Sequence, residues 1–265
     1  MKLIAADMDG TLLDVSGKYN HRLFRQVLDL AKQKGVAIAI CTGNQGVWTD
    51  LQFSEYLDDL WILADGGARM HYRDEITYYS SISEELRKNL LHKILSLPYP
   101  LELILSIGEH CYVRKGIDES KTKYILNHFD QPVAIDDLLM IKGDILKFTG
   151  FSESRQGQKI VEALSEFNDC LDIVSPEGYW LDITQKDVSK GSILTHLQAR
   201  LNITKEETVT FGDGRNDLTM FAVAGLNIAP LSGEKEAMEA ADFLIASNEN
   251  DGVLKAMMKL LEMNG

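Results

Sequence analysis

The segment Leu3–Asp14 reads LIAADMDGTLLD, and it decides how the rest of the chain is interpreted. Its apolar run stops at Asp7 and Asp9, which stand one residue apart and are followed by a glycine and a threonine. A short apolar run that ends at a turn signal is typical of a buried strand in a parallel sheet. Open parallel sheets bind ligands just outside the carboxyl ends of their strands. The segment therefore predicts a strand that presents two carboxylates at such a position.

The spacing of Asp7 and Asp9 lets both carboxylates serve one small site. Residues i and i+2 of an extended chain point to the same side, and a turn at Gly10 allows their oxygens to converge. Such a cluster of hard oxygens suits Mg²⁺, which takes few protein ligands and leaves places for water and phosphate. One carboxylate can then act as a nucleophile while the other donates and accepts a proton. The alternative is a solvated aspartate turn after a strand.

The composition is that of an ordinary globular protein with a strongly acidic balance. The chain has 265 residues, of which 45% are hydrophobic and 25% are charged, and this length suffices for one large domain or two smaller ones. Lysine and arginine number 27 against 40 aspartate and glutamate residues, so the formal charge is −13. This charge disfavours nucleic acid or an anionic membrane as a partner. An anionic substrate would need a metal ion and a few local cations.

Cysteine usage and the apolar runs indicate a cytoplasmic protein. The cysteines Cys41, Cys111 and Cys170 are far apart and form no Cys-x-x-Cys pair, so we expect reduced thiols. No signal-peptide apolar region precedes Asp7, and no apolar run approaches membrane-spanning length. Cys41 could be a thiol nucleophile, but a small buried residue is the preferred interpretation. The oligomeric state cannot be read from the sequence.

Strand and helix patterns alternate at both ends of the chain. Strand, helix and strand within the first 41 residues form a βαβ unit, which favours a parallel sheet with right-handed crossovers. A helix over 45–59 and a strand over 61–64 follow, and the alternation of strands and helices resumes after Thr184. We therefore predict an α/β core with a parallel sheet, formed by residues 1–81 and 185–265.

The middle of the chain has a different style. It contains a helix over 83–97 that begins with Ser83 as its cap followed by two glutamates, a hairpin about Gly108 and a helix over 118–128. A further helix and three more strands follow before Thr184. Because strands and helices mix here in an α+β manner, we predict that residues 82–184 form an inserted α+β cap domain.

Polar motifs stand at the ends of three predicted strands. They are Asp7-x-Asp9, Thr42-Gly43 and residues 212–217, which read GDGRND. Lys190 begins a helix between the second and third motifs. In this order, with the insertion between the second and third motifs, they resemble the four motifs of the haloacid dehalogenase-like (HAD) superfamily. The arrangement is similar to its Cof-like branch with a type IIB cap, and the resemblance covers essentially the whole chain.

The resemblance implies a Rossmann-like core and a Mg²⁺-dependent phosphatase that hydrolyses small phosphorylated metabolites, such as sugar phosphates, through an aspartyl phosphate. Asp7 would attack the substrate phosphorus. Asp9 would protonate the leaving alcohol and then deprotonate the hydrolytic water. The expected magnesium ligands are Asp7, the Asp9 backbone carbonyl, Asp213, and Asp217 acting through water or from behind the direct ligands. The residues expected to bind phosphate are Thr42, Gly43, Lys190 and Asn216.

Each of these residues also has a plainer interpretation. Thr42 could be a strand-end cap, and residues 212–217 could be an ordinary turn. Lys190 could be a solvated residue at a helix start, although a cation at that position opposes the helix dipole. Three places depart from the pattern of the branch. Asn44 stands where arginine is usual, Asp65 stands where asparagine is usual, and residues 229–231, which read APL, replace a more glycine-rich stretch. These departures bear on affinity and substrate choice.

Two other functions remain open at this stage. A phosphomutase shares the paired carboxylates, and product analysis would separate it from a phosphatase. A catalytically idle relative that only binds a phosphate ligand or a protein partner is a different class. Asp7, Asp9 and Lys190 argue against the idle relative, because binding alone requires neither a nucleophile nor a proton shuttle.

Overall fold

The computed structural model describes residues 1–73, 75–108, 110–117, 129, 131–143, 145–175 and 178–264. The chain divides by packing into two compact units. The first unit comprises residues 1–43, 53–77 and 189–265, and the second comprises residues 44–52 and 78–188. The bounds expected for the cap, 82–184, remain a prediction.

The strands of the described residues are β1 (Leu3–Ala6), β2 (Ala37–Cys41), β3 (Trp61–Ala64), β4 (Arg69–Tyr72), β5 (Glu75–Tyr79), β6 (Glu102–Ile107), β7 (His110–Arg114), β8 (Val133–Ile135), β9 (Lys147–Phe151), β10 (Leu171–Val174), β11 (Trp180–Gln185), β12 (Thr208–Phe211), β13 (Leu226–Pro230) and β14 (Phe243–Ile245). The α-helices are α1 (His21–Lys34), α2 (Gly46–Gln52), α3 (Glu84–Ser96), α4 (Gly157–Ala163), α5 (Lys190–Leu201), α6 (Leu218–Ala222), α7 (Lys235–Ala240) and α8 (Gly252–Met263). None of the helices in this part of the chain is long and apolar enough to cross a membrane.

The larger sheet has eight strands in the order β14-β13-β12-β1-β2-β3-β4-β5. The six strands from β14 to β3 are parallel to their neighbours, and β4 is antiparallel to β3. Ala6 at the end of β1 lies opposite Phe211 of β12 and Ile40 of β2. The three strands therefore end at the same edge of the sheet, and the predicted parallel α/β core is confirmed.

Helix α1 shows how the sequence forms the helices of this unit. The Asn20 side chain caps its start by accepting a hydrogen bond from the backbone N–H of Leu23. The helix ends at Gly35, which adopts a left-handed conformation that favours glycine (φ 66°). Its buried residues are Phe24, Val27, Leu28 and Ala31, which the helical period places on one face.

The second unit contains a six-stranded sheet in the order β10-β11-β9-β6-β7-β8. Its pairs are antiparallel except for β7 and β8. One hydrophobic core, whose buried members lie between Ile82 and Ile183, includes residues from this sheet and from α3 and α4. The predicted hairpin about Gly108 is present as β6 and β7. The predicted helix over 118–128 lies outside the described residues.

The observed elements differ from the sequence predictions at several places. The helix expected over 45–59 ends at Gln52 as α2, and a short 3₁₀ turn follows at Leu57–Asp59. Strands β4 and β5 had not been predicted. Strand β4 has only four residues, Arg69-Met70-His71-Tyr72, and its two polar residues are buried together with Met70, so its alternating sequence does not show which face lies in the core.

Candidate active site

The loop after β1 is a tight turn that carries both predicted catalytic aspartates. The backbone N–H of Asp7 donates to Phe211 O at 2.9 Å, which extends the pairing with β12 by one residue. The chain then bends back so that the Leu13 N–H donates to Met8 O at 2.8 Å. Gly10 adopts φ +77° in this turn, a conformation that residues with a Cβ rarely adopt. The turn thus holds Asp7 in a buried position at the carboxyl end of β1.

Lys190 lies between two buried carboxylates. Its Nζ is 2.5 Å from Asp7 Oδ1 and 2.6 Å from Asp217 Oδ1. Burial alone lowers the pKa of Lys190, but the charges of Asp217 and Asp7 outweigh that effect and raise its pKa overall. The two carboxylates therefore keep the lysine charged. They also explain why a cation stands at the start of α5, because the helix dipole alone disfavours a positive charge at that end.

Close backbone packing fixes the start of α5, which carries Lys190. Ser189 caps the helix, and its side chain and that of Ser192 hydrogen-bond each other's backbone N–H groups in a capping box. A Cβ on Gly191 would lie 2.2 Å from the Thr219 carbonyl oxygen, and a Cβ on Gly67 would lie 2.3 Å from that of Ser189. Neither position accepts a larger residue without movement, so these glycines let α5 approach its neighbours.

Thr11 is a site residue that the sequence reasoning did not identify. Its hydroxyl is fully buried and donates to Asp213 Oδ1 at 2.6 Å, and it lies 3.5 Å from Asp7 Oδ2. A Cβ on Gly10 would lie 2.3 Å from Asp213 Oδ2. In the sequence, Thr11 is visible only as a hydroxyl residue next to Gly10 in the loop that carries the aspartates. This pattern does not show which group accepts a hydrogen bond from the hydroxyl. Thr11 therefore orients Asp213, and Gly10 leaves room for it.

Asp7, Asp213 and Asp217 form a group in which one oxygen of each lies within 4.8 Å of the others. Burial raises the pKa of Asp7, and Lys190 opposes that rise. Burial likewise raises the pKa of Asp213, and its hydrogen bond from Thr11 opposes that rise. Carboxylate oxygens so arranged are the donor set that Mg²⁺ prefers, so the residues present fit this ion.

Both oxygens of the fully buried Asp217 carboxylate accept hydrogen bonds. Its Oδ1 accepts from Lys190, and its Oδ2 accepts from the backbone N–H groups of Asp213 and Gly214, each at 3.0 Å. The Asp217 side chain therefore closes the turn after β12 and holds the lysine at the same time.

The remaining predicted residues lie along the same edge of the sheet. Asp9 is exposed and forms an isolated bridge with Leu13. Thr42 is buried and follows β2 directly. A Cβ on Gly43 would meet no atom of the described residues within 4 Å. Asn216 is exposed, and its backbone carbonyl accepts a hydrogen bond from a threonine hydroxyl at 3.2 Å. Their roles toward phosphate remain predictions.

Cys41 is a buried small residue, as the preferred interpretation expects. It is fully buried, and its Sγ donates to the Lys190 carbonyl oxygen at 3.8 Å. Burial raises the pKa of the Cys41 thiol, which disfavours the thiolate that a nucleophilic role requires.

Comparison with known proteins identifies the family. The model of the haloacid dehalogenase-like hydrolase family matches residues 4–257. The chain therefore belongs to this family, and the predicted resemblance is confirmed. A 5-amino-6-(5-phospho-D-ribitylamino)uracil phosphatase of Escherichia coli is 25% identical over 263 residues, covering 99% of this chain and 97% of the relative. The putative phosphatase YxeH of Bacillus subtilis is 28% identical over 274 residues, covering 98% of each chain.

A solved structure supports the predicted architecture. A HAD subclass IIB sugar phosphatase aligns with a TM-score of 0.80 and 22% identity, covering 98% of this chain and 99% of that protein. The alignment over nearly the full length of both chains confirms the fold class, a Rossmann-like core with an inserted α+β cap.

Proposed function

We propose that the protein is a Mg²⁺-dependent phosphatase that hydrolyses small phosphorylated metabolites through an aspartyl-phosphate intermediate. The observation that carries this proposal is the buried ion pair between Asp7 and Lys190 at the carboxyl end of β1. It places a potential nucleophile next to a fixed positive charge, and Asp9 follows two residues later. The names of the two relatives, both phosphatases, agree with this chemistry.

Three oxygen donors would hold the Mg²⁺: the carboxylates of Asp7 and Asp213 and the backbone carbonyl of Asp9. Asp217 would act from behind them, because Lys190 and two backbone N–H groups already use its oxygens. The bound cation would supply positive charge that keeps Asp7 ionised and balances the charge of the transferring phosphoryl group.

In the first step, an oxygen of Asp7 attacks the substrate phosphorus in line with the leaving oxygen. The bond between phosphorus and the leaving alcohol breaks, and Asp9 gives its proton to that alcohol. The Lys190 charge stabilises the equatorial phosphate oxygens, because charge spreads over them during transfer. Thr42, Gly43 and Asn216 hold the phosphate by hydrogen bonds from the neighbouring edge of the sheet.

In the second step, Asp9 takes a proton from a water molecule that attacks the phosphorus of the aspartyl phosphate. The bond between Asp7 and phosphorus breaks, and inorganic phosphate leaves with both aspartates restored to their starting states. One exposed carboxyl group, Asp9, thus serves first as acid and then as base.

We propose that the leaving group is a polyol, such as a sugar. The phosphatase of Escherichia coli named above acts on a ribityl phosphate, and the solved structural relative is a sugar phosphatase. The formal charge of −13 makes nucleic acid an unsuitable partner.

The test is hydrolysis of p-nitrophenyl phosphate by the purified protein, with Mg²⁺, with a chelator, and with Asp7→Asn. We expect activity that is lost with the chelator and falls by about 10³-fold or more in Asp7→Asn. Asp29→Asn is the matched control, because Asp29 is an exposed aspartate on α1. Full activity in Asp7→Asn would overturn the mechanism.

Product analysis separates the alternatives once turnover is present. With a hexose phosphate, a phosphatase releases inorganic phosphate and the free sugar, whereas a phosphomutase returns an isomeric sugar phosphate. Binding of phosphate without turnover of any phosphate ester, across a panel of sugar phosphates, would favour the idle relative.

A further inference from the structure

Asn248 is a buried polar residue far along the chain from every catalytic motif. It begins a short 3₁₀ turn, Asn248–Asn250, that follows β14. Only 8% of its surface is exposed. Both ends of its side-chain amide are used: Nδ2 donates to Leu13 O at 2.7 Å, and Oδ1 accepts from Ser232 Oγ at 2.9 Å. A buried amide with two separate partners acts as a bridge between them.

The first partner belongs to the loop that carries Asp7 and Asp9. The Leu13 N–H donates to Met8 O at 2.8 Å, and Met8 stands between the two aspartates. Leu13 also forms the bridge with Asp9. Fixing the Leu13 carbonyl therefore fixes the turn on which Asp9 is placed.

The second partner belongs to the loop that supports Asp213. Ser232 stands two residues before Glu234, whose N–H donates to Asp213 O at 2.7 Å. Between them, Gly233 packs so closely that an added Cβ would lie 3.0 Å from the same carbonyl oxygen. The position of the 232–234 segment thus sets the position of the Asp213 backbone.

We propose that Asn248 is a positioning residue. It fixes the loop after β1, which carries Asp9, relative to the 232–234 segment, which supports the Asp213 backbone. The inference rests on the proposed function, because it is the phosphatase reaction that requires these two loops to meet at one metal ion. Asn248 touches neither substrate nor reacting atoms. It acts through Leu13 on one side and through Ser232 on the other.

Asparagine suits this bridge because one side chain both donates and accepts. An aspartate at this position keeps the shape and the acceptor but loses the donor to Leu13 O, and its charge would face a carbonyl oxygen. The same turn offers a matched control: Asn250 is exposed, and its Nδ2 donates to Ser247 Oγ within the turn, at 3.2 Å.

The experiment compares Asn248→Asp, Asn248→Ala, Ser232→Ala, the double variant of Asn248→Ala with Ser232→Ala, and Asn250→Asp. Three quantities are measured well below the unfolding midpoint of each variant. They are kcat for p-nitrophenyl phosphate at saturating Mg²⁺, the dissociation constant of Mn²⁺ alone by electron paramagnetic resonance, and the unfolding midpoint itself. Mn²⁺ is the probe because it shares the carboxylate and carbonyl preference of Mg²⁺.

We expect each Asn248 variant to lower kcat and to weaken Mn²⁺ binding by about 10-fold, since small displacements of catalytic groups are costly. Ser232→Ala should cause a smaller loss in the same direction. The double variant should be no worse than Asn248→Ala alone, because Ser232 acts through Asn248. Asn250→Asp should match the wild type in all three quantities.

A merely structural asparagine would lower the unfolding midpoint and leave kcat and the Mn²⁺ dissociation constant of the folded protein unchanged. That result, or equal losses in Asn250→Asp, would overturn the proposal. If the wild type bound Mn²⁺ but hydrolysed no phosphate ester, the proposed function would fail. The Mn²⁺ affinities would still decide whether Asn248 positions the two loops.

Discussion

The Thr11 hydroxyl links the nucleophile loop directly to Asp213. It is fully buried and donates to Asp213 Oδ1 at 2.6 Å. Without this donor, the Asp213 oxygen would lose a charge-assisted hydrogen bond where water cannot easily replace it. The hydroxyl therefore helps to keep the carboxylate both ionised and oriented.

Thr11→Val removes the hydroxyl and keeps the shape of the side chain. We expect kcat/KM for p-nitrophenyl phosphate to fall by about 10- to 100-fold, which corresponds to the loss of one hydrogen bond to a charged group. Thr11→Ser retains the hydroxyl and should stay within about 3-fold of the wild type. A loss in Thr11→Ser as large as that in Thr11→Val would contradict this expectation, because serine retains the hydroxyl that valine lacks.

The contrast between predicted and missed site residues has a physical origin. Asp7, Lys190 and Asp213 could be predicted because each follows or begins an element at the edge where parallel strands end. The Thr11 hydroxyl contacts Asp213, and the Asn248 amide contacts Leu13 and Ser232, through side-chain hydrogen bonds to residues distant in sequence. A sequence pattern shows residue types and spacing, and it does not show which acceptor a hydroxyl or an amide will meet.

The turn between β3 and β4 is the element that supports the start of α5. Gly66 and Gly67 both have positive φ angles, 70° and 110°. A Cβ on Gly66 would meet no described atom within 4 Å, whereas a Cβ on Gly67 would lie 2.3 Å from Ser189 O. A substitution at Gly66 therefore strains only the backbone conformation, whereas a substitution at Gly67 also disturbs the close packing against the start of α5.

Gly66→Ala should cost about 1 kcal/mol of stability, because only the backbone conformation is strained. Gly67→Ala should cost about 3 kcal/mol and also lower kcat, because Ser189 and the helix that begins with Lys190 must move. Urea unfolding and steady-state kinetics of both variants check this. Equal kcat values in the two would show that the turn does not position the lysine.

Apolar patterning was sufficient for most elements and failed where burial is polar. Strand β3, Trp61–Ala64, has the predicted bounds. Strand β4 was missed because it has only four residues and closely follows Gly66 and Gly67. The burial of its polar residues Arg69 and His71 depends on tertiary partners. The helix expected over 45–59 ends at Gln52, because a helical pattern does not by itself show where packing stops a helix.

At the scale of the whole molecule, the chain divides into two compact units. The core between Ile82 and Ile183 lies within the second unit, and the Asp7 cluster lies within the first. The change of pattern near residue 82 predicts a cap over 82–184 from the sequence, and those bounds remain a prediction. The placement of residues 44–52 with the second unit could not be predicted, because it depends on packing between segments distant in sequence.

Because Asp7, Asp213 and Asp217 all belong to the first unit, we expect Mg²⁺ to stabilise the two units unequally. A ligand stabilises the unit that binds it by RT ln(1 + [L]/Kd), or about 1.4 kcal/mol at ten times the dissociation constant. The buried Trp61 reports the first unit, and Trp180 reports the second. Variants that keep one of these tryptophans, with Trp48 and the other changed to phenylalanine, make each transition visible in urea.

We expect Mg²⁺ to raise the urea midpoint reported by Trp61 and to leave the midpoint reported by Trp180 unchanged, because the carboxylates that fit the ion all lie in the first unit. Asp213→Asn in the same background should abolish the shift, which ties it to the cluster rather than to salt. Equal shifts at both tryptophans would contradict this expectation. Equal shifts would mean that the two units unfold in one cooperative transition, so that Mg²⁺ binding to the carboxylates of the first unit stabilises both units.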